Sequence, residues 1–410
     1  MKEMKERILQ FGEGNFLRAF IDYFIDQLNE QNLFNGSIVI VQPIEQGLVS
    51  KLNQQNCNYT VLLRDANKIE KRLITSISRG IDPYKNFDSY IECAKNPDLR
   101  HIISNTTEAG IAFSEDDKLD DKPPASFPAK LSIFLYERYK QGLNGLIFIP
   151  CELIDNNGTM LKKCILQYAQ KWQLPQGFID WIESENHFTN TLVDRIVSGH
   201  PKDENHEDKM LVAAETFQFF AIEADEKLFE EMPLHKVGAT LTNNVEPYKT
   251  RKVRILNGAH TMSVAAALLC GKETVGEMMA DPLFVDFLRK GIFKEIIPTL
   301  DLNKDDLESF AEAVLERFAN PYIKHYLKDI ALNTVAKFEV RVLPSIIEYH
   351  KRTGRLPELL TLSCAALMKY CGNVDMNINL PGFDQKVKIL LDDLDKSGMR
   401  TVLEKTVAVC

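Results

Sequence analysis

No stretch of this chain is apolar over the roughly 18 residues that a membrane-spanning helix needs, and it carries no internal repeat and no low-complexity tract. The opening "MKEMKERILQFGEG" lacks the apolar stretch of a secretion signal and leads straight into a glycine turn. The absence of targeting signals predicts a cytoplasmic protein and excludes the membrane as a partner. Cysteine pairing signals are missing too. The eight cysteines, at 57, 93, 151, 164, 270, 364, 371 and 410, form no CxxC pair, and the eight histidines do not cluster with them. No metal site is expected, and in a reducing compartment these residues read as unpaired thiols. Positive charge is also in deficit: 49 Lys and Arg stand against 58 Asp and Glu, a net charge of −9. That balance excludes nucleic acid or an anionic membrane as the main partner. A small anionic substrate needs only a local basic pocket, for which residues 249–254 and 337–341 are candidates.

What is present is an ordinary globular composition, 45% hydrophobic and 26% charged, over 410 residues. That length accommodates two or three domains with ample core. The first half alternates short buried runs with helical patterns. "RILQF" (7–11), "SIVIVQP" (37–43), "YTVLL" (59–63), "RLITSISRG" (72–80) and "GLIFIPCE" (145–152) read as strands, and "HIISNTTEAG" (101–110) as a strand ending in a polar loop. Between them, Phe16 to Leu28, residues 85–96 and residues 127–142 read as helices, the last stopped by Gly142. Near-continuous apolar strands separated by helices predict a parallel α/β sheet. After about residue 185 one or two further strands are expected, and "GHPKDENHEDKM" (199–210) reads as a solvated loop. From Lys252 the pattern is almost wholly helical, with Asn303 as a cap, Pro321 opening one helix and Pro357 another that ends near Gly372. The expected domains are residues 1–190, which bind a dinucleotide, 191–250, which link, and 251–410, which are helical and hold the substrate.

"ILQFGEGNFLRAF" places Gly12 and Gly14 between a strand and a helix. In that context the first glycine permits a tight turn and the second lets a pyrophosphate approach backbone amides, with Asn15 and Phe16 at the helix head beside it. Leu17 stands where the usual fingerprint has a third glycine, and a glycine turn of this kind also occurs as a turn only. The second strand ends at Gln42 with Glu45 beyond it and no arginine at the tip, which favours NAD over NADP. "SNTTEAG" follows a strand at the edge where such sheets bind ligands, so Asn105, Thr106, Thr107 and Glu108 are candidate cofactor contacts. Helix capping is the alternative role for these residues.

"RKVRILNGAH" (251–260) heads an apolar run and carries an ammonium, an amide and an imidazole. On an α-helix, at about 100° per residue, His260 lies roughly 80° round from Lys252, and Asn257 roughly 140°. A hydride transfer needs a proton donor or acceptor at the substrate oxygen, and Lys252 fits if burial and the neighbouring Lys249, Arg251 and Arg254 disfavour its charge. Asn257 is a donor for developing negative charge and His260 an orienting group. Asn157, after "PCELID", is a second amide donor. Taken singly, each has a plainer reading: a solvated lysine, a structural histidine, a turn at "NG".

Lys252 with "LNGAH" resembles the K-x4-N-x2-H signature of the mannitol dehydrogenase family of long-chain polyol dehydrogenases, and "TLVDRIV" (191–197) resembles another shared segment. "QFGEGNFLRAF", "SNTTEAGI", "FPAKL", "PCELID", "KVRILNGAHT", "RFANPYIKH" and "RVLP" are similar to its hexuronate-reducing branch, from about residue 7 onward. The resemblance implies an α/β, Rossmann-type, doubly wound N-terminal domain followed by a mainly α-helical C-terminal domain. It also implies metal-independent, NAD-linked reduction of D-tagaturonate to D-altronate in a cleft between the domains. Carried over, Lys252 is the general acid/base, Asn257 and Asn157 hold the reacting oxygen, His260 positions the substrate, Lys337 lines its site, and Gly12 and Gly14 serve the cofactor. The chain departs from polyol-type members, which have an arginine where Asp329 stands and an asparagine where Leu153 stands. These departures leave the substrate carboxylate without an assigned partner. Lys337 and Arg341 are the candidates, the latter through a bidentate fork, with a solvated helix charge as its plainer reading. The chain also looks shorter than the family norm near 200–208 and after Gly372. A fructuronate or polyol dehydrogenase is the alternative enzyme. A non-catalytic NAD sensor is the alternative of another class, and the retained Lys252, Asn257 and His260 count against it.

Overall fold

The computed structural model describes residues 4–107, 109–201, 206–372, 378 and 380–410. The chain forms two compact units, one up to Val245 and one from Glu246.

The first unit is built on six parallel strands: β1 (Lys5–Phe11), β2 (Gly36–Val41), β3 (Ile77–Ile81), β4 (His101–Ser104), β5 (Ile147–Pro150) and β6 (His187–Phe188). Their spatial order is β3-β2-β1-β4-β5-β6, with Leu9 flanked by Val39 and Ile102. The strands are apolar throughout because both faces are covered. Ile8, Ile38, Ile40 and Ile103 point to one side, where Phe20 and Phe24 pack. Leu9, Phe11, Val39 and Ile102 point to the other, against Phe134 and Leu161 of helices Phe127–Lys140 and Asn157–Lys171. The order reverses between β1 and β4, and open sheets of this doubly wound type bind ligands beyond the strand ends at that reversal. Gly12 and Asn105 follow those two ends.

Two elements differ from the sequence reading for tertiary reasons. The helix expected over 16–28 is two, Asn15–Arg18 and Ile21–Glu30. The carbonyls freed at the break are taken by distant groups: Tyr59 Oη donates to Arg18 O at 2.9 Å and Arg195 Nη1 to Ala19 O at 2.8 Å. "RLITSISRG" is not one strand. Its first part belongs to a hairpin, Tyr59–Arg64 with Ile69–Ile74, and its second is β3. The chain turns where Asp26 accepts the Thr75 amide at 3.0 Å. Beyond residue 185 the chain holds more strands than expected. Thr191–Asp194, Phe219–Glu223 and Thr240–Thr242 form one small sheet, and Val197–Gly199 and Val212–Ala214 extend the hairpin into another. All lie in the first unit.

The second unit is helical. Helix Gly258–Leu269 is buried on nearly every side, which explains its small apolar sequence, and Ser363 Oγ of helix Glu358–Cys371 donates to Met262 O at 2.7 Å. Asn303 caps helix Lys304–Phe318, accepting from Asp305 N at 2.8 Å. Helix Glu358–Cys371 starts after Pro357 as expected. Pro321 opens no helix: Asn320 Oδ1 accepts the Tyr322 amide at 3.0 Å, and the segment runs on to Tyr326, which bridges to Thr274. Helices resume at Leu327–Ile330 and Thr334–Arg341. Among the described residues, no helix is long and apolar enough to cross a membrane. The eight cysteines are free thiols.

Candidate active site

The turn after β1 has the geometry that its glycines predict. Gly12 sits at φ +119°, and a Cβ there would lie 2.9 Å from the Asn105 carbonyl, so a side chain is excluded by both conformation and space. Gly14 differs: its backbone is extended and a Cβ would meet nothing within 4 Å. No packing inside the protein demands a glycine here, which fits a position kept bare for something that approaches the turn. Asn15 is exposed and Phe16 half-buried, and each has a partner close by in the chain. Asn15 Oδ1 accepts from Arg18 Nη2 at 2.7 Å, and Phe16 stacks on Phe20 at 4.9 Å. Gln42 at the tip of β2 donates to the Ile44 and Glu45 carbonyls at 2.9 and 3.0 Å and orders that loop.

The loop after β4 is held by a group the sequence reading passed over. The Glu152 carboxylate accepts from Ser104 Oγ at 3.0 Å, from the Thr106 amide at 3.0 Å and from Thr106 Oγ1 at 2.9 Å. Burial pushes its pKa up, partly offset by these bonds. Asn105 Nδ2 donates to Cys151 O at 2.6 Å. The side chains of Asn105 and Thr106 and the Thr106 amide thus brace the loop, and Thr107, at φ +79°, is exposed. Glu108 lies outside the described residues.

Asn157 is held differently from the residues of the second unit. Its side chain is buried, and both ends of the amide are occupied. Nδ2 donates to Pro150 O at 3.0 Å, Glu152 O at 3.1 Å and Thr191 Oγ1 at 3.1 Å, while Oδ1 accepts the Gly158 and Thr191 amides at 2.9 Å each. It ties the end of β5 to the strand at Thr191 and has no free donor for a reacting oxygen. The corresponding sequence signal, an asparagine opening a helix, is as often structural as catalytic.

The face carrying Lys252 is not an α-helix. Residues 246–269 form one continuous helical run in which Lys252–Asn257 is a π-helix, with the Gly258 amide reaching back to Val253 O. An i→i+5 turn holds between four and five residues, so Asn257 comes round close to Lys252 instead of about 140° away. His260 follows one α-turn further. Lys252, Asn257 and His260 are all half-buried. The cations expected to crowd Lys252 turn elsewhere. Lys249 pairs with Glu246 at 3.3 Å, Arg251 lies over the Phe310 ring at 4.3 Å, and Arg254 donates to Ser345 Oγ at 3.3 Å.

His260 stacks flat on Phe318, with ring centroids 4.0 Å apart, and meets His325 edge-on at 5.9 Å. Burial, and then the positive charges of His325, Arg317, Arg341 and Lys337, push its pKa down to about 3. It is therefore a neutral imidazole at working pH, suited to orient a hydroxyl and not to carry the proton. Lys337 Nζ donates to Ile330 O at 2.9 Å. Burial and Arg341 lower its pKa, and burial lowers that of Arg341. Arg341 follows on the same helix, and its carbonyl lies 3.4 Å from where a Cβ on Gly258 would stand. Among the described residues, no three His, Cys, Asp or Glu side chains are grouped to hold a metal ion.

Known proteins carry the same plan. Residues 6–236 match the mannitol dehydrogenase Rossmann domain and residues 244–401 the mannitol dehydrogenase C-terminal domain. The altronate oxidoreductase of Klebsiella pneumoniae (strain 342) is 47% identical over 384 residues, 89% of this chain and 80% of that protein. The altronate oxidoreductase of Shigella flexneri is 46% identical over the same shares. Substrate-free D-sorbitol dehydrogenase superposes with a TM-score of 0.84 at 20% identity, covering 98% of this chain and 95% of that one. Pseudomonas fluorescens mannitol 2-dehydrogenase, in a ternary complex with NAD and D-mannitol, gives 0.72 at 22% identity over 99% and 95%. The chain belongs to the mannitol dehydrogenase family and is an oxidoreductase.

Proposed function

We propose that the chain interconverts D-tagaturonate and D-altronate with NAD as its cofactor. The observation that carries this reading is the 46–47% identity, over 89% of the chain, to proteins named altronate oxidoreductase. The bare backbone at Gly14, the tight Gly12 turn and the braced loop at 105–107 fit a dinucleotide on the first unit. When bound, NAD supplies the hydride acceptor of the oxidation and NADH the donor of the reverse step.

The second unit supplies the proton chemistry. During reduction, Lys252 gives a proton to the carbonyl oxygen as it gains negative charge, and it takes that proton back in the oxidation of altronate. The Asn257 amide donates a hydrogen bond to the same oxygen and cannot itself titrate. His260, neutral and clamped by Phe318, orients a substrate hydroxyl. Lys337 and Arg341 line the substrate's far end. The eight free thiols suit a reducing cytoplasmic setting.

The test is NADH consumption by the purified protein offered D-tagaturonate, D-fructuronate and D-fructose side by side. The expected result is a kcat/KM for tagaturonate at least about 100-fold above that for either competitor, the scale set by a hydrogen-bonded polar group left unpaired. Preference for another of the three would move the substrate assignment, and silence on all three with NADH bound would revive the sensor.

A further inference from the structure

The side chains gathered around His260 include one that the sequence left unassigned. His325 sits on the segment after Pro321, which runs extended instead of forming a helix, and its carbonyl accepts the Val275 amide at 3.0 Å. That backbone pairing carries the His325 ring to within 5.9 Å of His260. On the other side, helix Thr334–Arg341 presents Lys337 and Arg341, with the Arg341 backbone beside Gly258 in the turn between Asn257 and His260.

Several cations lie close enough in this cluster to oppose one another. Arg317, Arg341 and Lys337 act on His260 as positive groups, Lys337 is further opposed by Arg341, and burial and then Arg317 lower the pKa of His325. Among the described residues, no carboxylate pairs with Arg341, Lys337 or His325. Among the described residues, the Lys337 ammonium reaches the Ile330 carbonyl alone, and the half-buried Arg341 guanidinium makes no side-chain hydrogen bond. Elsewhere in the unit a half-buried lysine is paired, Lys272 with Asp281 at 3.0 Å. Half-buried cations held together without counter-charge are stable only to the extent that the fold enforces them, and a bound anion relieves them.

We propose that Arg341 and His325, with Lys337 beside them, form the receptor for the substrate's carboxylate, and that they set the preference for a keto-uronate over the uncharged sugar. The proposal rests on the hexuronate reading above. Arg341 offers a planar fork matched to a carboxylate, and the His325 ring offers a further N–H donor from the opposite element. Asp329 is exposed, five residues before Thr334, and plays no part in the cluster.

The experiment compares D-tagaturonate with its methyl ester, which keeps the skeleton and removes the charge, in the wild-type protein and in the Arg341→Gln and His325→Gln variants. NADH affinity and thermal unfolding are measured on each. The wild type is expected to favour the acid by at least about 10-fold, the usual scale of a charge-assisted hydrogen bond. Arg341→Gln should lower kcat/KM for the acid about 30-fold, chiefly through KM, and His325→Gln about 10-fold, with ester turnover held within about threefold. Arg341→Lys, which keeps the charge and loses the fork, should fall between wild type and Gln. Should Arg341→Gln fail to fold, His325→Gln decides alone. A wild type that reduces acid and ester equally, or folded variants whose acid-to-ester ratio matches the wild type, overturns the receptor and leaves the proposed reaction standing. A wild type that reduces neither overturns the reaction itself.

Discussion

Two asparagines show how far residue type alone carries an assignment. Asn157 and Asn257 both stand near the head of a helix in a motif shared with a known family, and both read as amide donors to a reacting oxygen. Only burial and partners separate them. Asn157 spends its amide on the backbone at Pro150, Glu152 and Thr191, whereas Asn257 is half-buried on the face that carries Lys252 and His260. Asn157→Ala strands several buried groups and should cost about 2–4 kcal/mol of stability, read as a lowered unfolding temperature. Asn257→Ala should leave that temperature nearly unchanged and lower kcat by about 10²–10³. The reverse pattern would exchange the two roles. Histidine divides in the same way. His101 is buried in β4, and burial holds its pKa down to about 3. Its folded form binds fewer protons than the unfolded chain, so it contributes stability above the unfolded pKa of about 6.5 that is lost as pH falls toward 3. At pH 5 the loss is about 2 kcal/mol. His101→Phe should therefore flatten the decline in unfolding temperature between pH 7 and pH 5, and an unchanged slope would show that another group controls it.

At the scale of elements, the parallel strands were legible because burial on both faces makes them continuously apolar, and the helix caps because Asn303 and Pro357 act locally. What stayed hidden depended on partners distant in sequence. Nothing in "FLRAFIDYF" reveals that Tyr59 and Arg195 take the carbonyls of Arg18 and Ala19 and split the helix. Nothing near Pro321 reveals that Thr274 and Val275 hold that segment extended. The π-helix was hidden for another reason: it adds one residue to a turn without changing which residues are apolar. Its consequence is testable. Deleting Val253 puts Lys252 and Asn257 four apart on an ordinary α-turn, about 40° round from one another and still on one face. Inserting one alanine after Arg254 puts them six apart, about 120° away from alignment, and a second bulge would be needed to restore them. The insertion should lower turnover at least about 100-fold more than the deletion, since misplacement of a reacting group by about 1 Å already costs that much. Equal losses would mean that the spacing across this turn does not matter.

For the molecule as a whole, the sequence marks one change of pattern, from mixed strands and helices to helices alone. The change of pattern near residue 250 corresponds to the step between units at Val245 and Glu246. The small sheets of residues 191–242, which looked like a link, pack with the first unit because their strands complete sheets already begun by Tyr59–Arg64 and by one another. The chain's net charge of −9 coexists with a local cluster of cations around His260. Net charge therefore argues against a polyanionic main partner without bearing on a small anionic substrate. The turn at Gly12 and Gly14 lies in the first unit and the face carrying Lys252 in the second, so under the proposed function a variant of the second loses chemistry while the first still binds nucleotide. The direct test is Lys252→Met assayed with D-tagaturonate and NADH beside the wild type. The account predicts a fall in kcat of about 10²–10⁴, with NADH affinity and unfolding temperature close to wild type. Turnover within tenfold of the wild type would contradict it.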